Sequence, residues 1–201
     1  MSSEQKDRSK RIFHRIAPIY SLFYQYQKRE YQRVFQKMAS MLDLQSYKTV
    51  LDVGCGTGAL CSVFSEAGFA VACAEPVERM IAIGRSKEEN KSVNFVLADA
   101  LQGLPFPDKS FNIAISAYVA HGMKPEARSR LYDEMSRVSI NLVILHDYNQ
   151  NRSLLTNIVE RMEGGDYFGF IKNVRSELKE HFQNVQVEDV GTRSAWYICR
   201  L

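Results

Sequence analysis

Residues 49–60 read TVLDVGCGTGAL, an aspartate among apolar residues followed by glycines at positions 54, 56 and 58. Three glycines on alternate positions strip a short stretch of backbone of side chains. Such a stretch adopts unusual dihedrals and lets a ligand lie against peptide groups. If TVLDV is a strand and a helix starts at Ala59, the glycines form the turn at the strand's carboxyl end, facing the helix's first unpaired N–H groups. Open α/β sheets bind ligands there, beside the point where strand order reverses. Two more carboxylates follow at strand ends: Glu75 closes FAVACAE and Asp99 follows FVLA.

Other residues with acid–base chemistry gather later in the chain. SAYVAHGM (116–123) carries Tyr118 and His121, and HDYN (146–149) carries His146, Asp147, Tyr148 and Asn149. A histidine titrates near neutral pH, so His121 or His146 could take a proton from an oxygen, nitrogen or thiol. Either could equally hydrogen-bond loop backbone.

These residues need a scaffold. Short apolar runs at 49–53, 69–75, 93–98, 111–117 and 141–147 alternate with helical patterns near Ala59–Ala67, Val77–Glu89 and Pro125–Val138. That alternation predicts βα units and a parallel sheet, and the continuous apolar character predicts strands covered on both faces. A helix is expected near Asn173–Phe182. NVQVEDVG and SAWYICR are separated by two residues, which permits a hairpin and forbids a parallel crossover. Before the first strand, residues 7–41 read as two helical pieces interrupted at Pro18.

The glycine pattern alone leaves the ligand open. Gly54-Cys55-Gly56-Thr57-Gly58-Ala59 satisfies G-x-G-x-x-A, and Glu75 lies where a dinucleotide's ribose would find its acid. Asp52 argues against this reading, because a carboxylate beside the turn repels a pyrophosphate and suits a cofactor carrying an ammonium group.

VLDVGCGTG resembles the first motif of class I S-adenosylmethionine-dependent methyltransferases. AEPVERM (74–80) is similar to the end of their second strand, where an acidic residue binds both ribose hydroxyls; Glu75 matches it. FVLADALQGLPFPDKSFNIAISAYVAHG (95–122) is similar to the stretch with an acid at the adenine position, matched by Asp99 beside Ala100, and the entry to strand four. RIAPIYSLF (15–23) resembles the F-x-x-I-A-x-x-Y-D element of quinone-biosynthesis-type and related small-molecule methyltransferases, with Tyr20 as the tyrosine and Ser21 in place of the aspartate.

The resemblance covers roughly residues 45–201. It implies an α/β fold: a Rossmann-like, doubly wound, seven-stranded, mostly parallel sheet with an antiparallel last strand, here in one domain with an N-terminal helical cap over 1–45 and a core over 46–201. It implies S-adenosyl-L-methionine as cofactor, held by Tyr20, Asp52, Gly54, Cys55, Gly56, Gly58, Glu75, Pro76, Met80, Asp99, Ala100 and Ala117. The implied reaction is in-line methyl transfer to a small molecule, with His121 and His146 as candidate bases. Two other readings stand beside it: a catalytically silent cofactor-binding regulator, and an NAD(P)-binding oxidoreductase.

Composition narrows the classes. A net charge of +3 is too small to argue for nucleic acid, and no apolar run approaches a membrane span. There is no N-P-P-Y-like segment or Pro-Cys nucleophile after strand four, so nucleic-acid base methylation drops out. Residues 1–37 hold nine Lys or Arg against three Asp or Glu, a basic arm that could meet an anionic substrate or membrane surface, or simply face solvent. The polar start MSSEQKDRSKR lacks a signal peptide's apolar core, so a cytoplasmic protein is expected. Cys55, Cys61, Cys73 and Cys199 match no zinc spacing, and core packing without a metal is expected of them. EGGDYFGFI (163–171) is expected to be a second lid or a docked aromatic loop.

Overall fold

The computed structural model describes residues 23–151 and 166–201. Its strands are β1 (Thr49–Val53), β2 (Ala70–Glu75), β3 (Asn94–Leu97), β4 (Phe111–Ala117), β5 (Ser139–Tyr148), β6 (Asn184–Gly191) and β7 (Ser194–Arg200). The longer helices are α1 (residues 23–39), α2 (Ala59–Glu66), α3 (Glu78–Arg85), α4 (Pro125–Val138) and α5 (Tyr167–His181). The strands form one sheet in the order β3-β2-β1-β4-β5-β7-β6. By contact density the chain divides into two compact units, up to Pro105 and from Phe106.

In the first unit, β1 and β2 pair in parallel, and β2 pairs in parallel with β3. β1 is buried from Val50 to Val53 without alternation, as a strand covered on both faces must be. α1 presents Tyr24, Lys28, Val34 and Met38 to the interior, an amphipathic stripe at helical spacing. Its Phe35 meets Phe64 of α2 edge-on at 5.2 Å, and Phe64 meets Phe69 at 5.4 Å. The buried Lys28 ammonium is paired with Glu66 at 2.5 Å and Glu89 at 3.6 Å, which offsets its desolvation. The helix expected over 77–89 stops at Arg85, and a separate turn at Glu88–Asn90 directs Asn90 inward.

In the second unit, β4 and β5 are parallel, while β7 pairs antiparallel with both β5 and β6. The closing hairpin therefore inserts its second strand between β5 and β6. β5 extends beyond the expected 141–147 at both ends, because Ser139 pairs with Phe111 of β4 and Tyr148 pairs with Ser194 of β7. α4 and α5 are locked together by Arg128, which is 0% exposed. It donates to Glu177 at 2.8 and 2.5 Å, to Asp166 at 2.9 Å and to the Met123 carbonyl at 2.5 Å.

α5 begins at Tyr167, six residues before the expected start at Asn173. The aromatic run, expected to be a lid or to dock on the core, is thus the first turn of a helix. Tyr167 and Phe170 are buried, and Phe168 stays exposed. The rest of that segment, residues 163–165, lies outside the described residues, as do Tyr20 and the whole of 1–22. Among the described residues no helix is long and apolar enough to cross a membrane.

Candidate functional site

The glycine turn leaves β1 as anticipated, with Gly54, Gly56 and Gly58 at φ 78°, 56° and 77°. All three lie in the left-handed region that L side chains rarely adopt. The three serve different ends. A Cβ at Gly58 would lie 2.7 Å from Asn90 Nδ2 and 2.8 Å from Phe95 Cζ, so this glycine is demanded by packing. A Cβ at Gly56 would meet nothing within 4 Å, so there the requirement is backbone conformation and a bare peptide edge.

Glu75 ties the turn to β2. One carboxylate oxygen accepts the Gly56 N–H at 2.9 Å and the other accepts the Val77 N–H at 3.0 Å, which caps the entry to α3. Burial pushes Glu75 up to about 7, and the two N–H bonds oppose that rise. Each oxygen keeps a second acceptor site, so the carboxylate can hold the loop and still receive two hydroxyls. Asp99 accepts the Leu101 N–H at 3.0 Å and caps a short turn. Asn90, which nothing in the motif flagged, pins the loop from behind by donating to the carbonyls of Gly84 at 3.1 Å and Thr57 at 3.3 Å. Pro76 and Ala100 are half-buried beside these acids. Met80 packs in the core against Val77 and Ile83.

Asp52 is 1% exposed. Its Oδ2 accepts from the Cys61 thiol at 3.2 Å, while Oδ1 has no hydrogen-bond partner among the described residues. Burial pushes it up to about 8, with nearby Cys73 adding to the rise. A buried carboxylate with an unused oxygen next to a glycine turn suits a cationic group, as the ammonium assignment required. The turn, Glu75 and Asp99 likewise suit a nucleoside with a flexible cationic tail.

Core packing is the expectation for the cysteines; the sulfurs of Cys55, Cys61 and Cys73 moreover all lie within 4.8 Å of one another. The sheet register explains this: Cys73 pairs with Asp52 across β1 and β2, so their side chains share a face. Cys61 comes from the start of α2 and Cys55 from the turn itself. Linear spacing hides the cluster, because its members belong to a loop, a helix and a neighbouring strand.

The second unit holds its own constellation at the carboxyl ends of β4 and β5. After the half-buried Ala117, Tyr118 takes φ 54° and donates its N–H to the His146 carbonyl at 2.8 Å. His121 follows in a short turn, with Nδ1 2.8 Å from Asp147 Oδ1. Asp147 is buried; it also accepts the His121 N–H at 3.3 Å and the Tyr148 N–H at 2.8 Å. An Nδ1–H donated to Asp147 places the imidazole lone pair on Nε2, the form a base requires. Aromatic rings adjoin it: Tyr148 lies 4.8 Å from the His121 ring, 5.3 Å from Tyr118 and 5.1 Å from Tyr167.

His146 is a different residue in kind. It is 2% exposed, lies 5.0 Å from the Tyr118 ring and 6.3 Å from Trp196, and burial lowers it to about 4. That makes it a neutral core imidazole and a weak base. Asn149 is committed to Asp189, at 2.9 Å, and His181 pairs with Asp133 at the far end of α5. The sequence singled out the two histidines as bases without saying which one had a partner; the buried acid next to His146 in sequence serves His121 in space.

This combination of sheet order, antiparallel β7 and glycine turn is the class I methyltransferase fold, and residues 50–139 match the family described as a methyltransferase domain. The chain thus contains a stretch, from β1 to the start of β5, that is similar to methyltransferase domains. It is 24% identical over 188 residues to an uncharacterized methyltransferase of Staphylococcus carnosus (strain TM300), covering 90% of this chain and 88% of that one. A solved protein of Pyrococcus horikoshii OT3 matches with a TM-score of 0.67 at 23% identity, over 83% of this chain and 87% of the other. A SAM-dependent methyltransferase of Thermotoga maritima, described as a possible histamine N-methyltransferase, matches with a TM-score of 0.69 at 17% identity, over 95% and 99% of the two chains.

Proposed function

We propose that this protein uses S-adenosylmethionine to methylate a small-molecule acceptor. The observation that carries the reading is the bond from the Gly56 N–H to Glu75, which joins a side-chain-free turn to a carboxylate able to receive a ribose. When bound, S-adenosylmethionine supplies a methyl group on a sulfonium, an activated carbon with a good leaving group. Gly54, Gly56 and Gly58, with Cys55 between them, offer backbone to the tail and ribose. Glu75 accepts the two ribose hydroxyls, Asp99 with Ala100 receives the adenine, and Asp52 answers the ammonium. Pro76, Met80 and Ala117 shape the surroundings, and Tyr20 is assigned to the methionine end.

His121, held through Nδ1 by Asp147, takes the acceptor's proton at Nε2. His146 is released from the role of base by its burial and low basicity. Tyr118 and Tyr148 give the acceptor side an aromatic character, which suits an apolar or aromatic acceptor or a nitrogen base.

Calorimetry tests the cofactor, and release of S-adenosylhomocysteine across pools of small acceptors tests the reaction. Binding of NAD(H) or NADP(H) without S-adenosylmethionine would overturn the reading. Tight cofactor binding with no turnover across all pools would instead favour a regulator.

A further inference from the structure

We propose that Cys55, Cys61 and Cys73 form a site for a thiophilic divalent cation of the zinc type, built into the floor of the glycine turn. Three sulfurs mutually within 4.8 Å can close on one ion with only small side-chain adjustments. With Zn–S bonds of about 2.3 Å, a tetrahedral site needs sulfurs about 3.8 Å apart. The fourth donor is at hand: Asp52 Oδ2 lies 3.2 Å from Cys61 Sγ, so an ion seated on that sulfur adjoins the carboxylate.

Two features separate this cluster from ordinary cysteine packing. Asp52 is 1% exposed, and the oxygen that faces the cluster, Oδ2, takes a weak thiol hydrogen bond at 3.2 Å where a cation would answer a buried carboxylate far better. The four groups also come from four different segments, β1, the turn, α2 and β2, so a single ion would cross-link the whole frame around the turn. Cys199 lies in β7 of the other unit and serves as an internal control.

Binding is an exchange of protons for metal, with no change in oxidation state. Each thiol releases its proton as its sulfur bonds to the ion, and the hydrogen bond from Cys61 to Asp52 gives way to a metal–oxygen bond. Asp52 gives up its proton as well, so three thiolates and one carboxylate on a divalent ion leave two negative charges. The Arg85 guanidinium, which donates at 2.7 Å to the carbonyl of Phe95, the residue paired with Cys73, places one positive charge near them.

The test uses the reduced full-length protein, stripped with a chelator and titrated anaerobically with Co2+. A site of this kind gives thiolate-to-cobalt charge-transfer bands and intense tetrahedral visible bands that saturate at about one ion per chain. Zn2+ should abolish them by displacement. The signal should persist in Cys199→Ser and fall at least tenfold in apparent affinity in Cys55→Ser, a turn position where core packing is least disturbed. Circular dichroism checks that both variants fold. Absence of saturable thiolate bands in folded wild type overturns the proposal, as does an unchanged titration in folded Cys55→Ser. The readout requires no cofactor and no turnover, so its failure leaves the methyltransferase reading intact.

Discussion

Asp147 grips His121 twice, with one oxygen 2.8 Å from the imidazole Nδ1 and the other accepting the backbone N–H of the same residue at 3.3 Å. The ring and the turn that carries it are thus oriented by a single buried carboxylate.

If His121 is the base, His121→Ala should lower kcat by about 10²–10⁴-fold, the usual worth of a positioned acid–base group. Asp147→Asn should cost less, about 10–100-fold, because it disturbs orientation rather than removing the base. Steady-state kinetics on an identified acceptor, with cofactor affinity measured in parallel, checks both. Full turnover in folded His121→Ala would leave alignment alone as the source of catalysis.

Glu75 predicts a pH-dependent cofactor affinity. Its carboxyl titrates at about 7 in the free protein, and hydroxyl donors favour the ionised form, lowering that value on binding. Affinity should therefore climb as pH rises toward about 7 and level off above it, by at most about tenfold per pH unit. Glu75→Gln should flatten the profile, and Glu75→Ala should weaken binding by about 1–3 kcal/mol. Calorimetry on both sides of neutrality decides; a Glu75→Gln profile as steep as wild type would remove Glu75 from the ribose.

Asp52 affects folding stability in the opposite sense from a salt-bridged carboxylate. Its folded value of about 8 lies above the usual 3.8, so between those limits the native state holds a proton that the unfolded chain releases. Stability contributed by the neutral carboxyl is complete below the unfolded value and is lost as pH rises through the folded one. Asp52→Asn keeps the shape without the charge. Its urea denaturation free energies in metal-free buffer should vary less with pH, and above about pH 8 should exceed wild type by about 1–3 kcal/mol.

The two inner glycines should separate stability from binding. Gly58→Ala adds a clash with Asn90 and Phe95 to an unfavourable φ of 77° and should cost about 2–4 kcal/mol of stability. Gly56→Ala meets no neighbour and should cost about 1 kcal/mol in folding, yet weaken the cofactor at least tenfold. Thermal melts and calorimetry on the pair check the split. Equal losses in both properties for both variants would contradict it.

The strands were legible because apolar continuity and chain length determine them locally; β1, β4, β6 and β7 fall where the pattern places them. Errors arose where distant partners decide. β5 outran the expected 141–147 because β4 pairs with Ser139 at one end and β7 with Tyr148 at the other. α5 started early because Arg128 anchors Asp166 and the core takes Tyr167 and Phe170. The loop glycines and Glu75 were readable as a motif. Asn90, the Asp147–His121 pair and the thiol cluster were not, since each depends on side chains brought together by sheet register and helix packing.

Tyr118 keeps a left-handed backbone at φ 54° where β4 ends. For a side-chain-bearing residue that conformation costs about 1–2 kcal/mol. A redesign aimed at thermostability would place glycine there and relieve the strain. It would also delete a ring 5.3 Å from Tyr148 and 6.4 Å from His121. Position 118 is therefore one that stability engineering of this enzyme should leave alone, and one where a heat-resistant variant can be expected to trade away its grip on the acceptor.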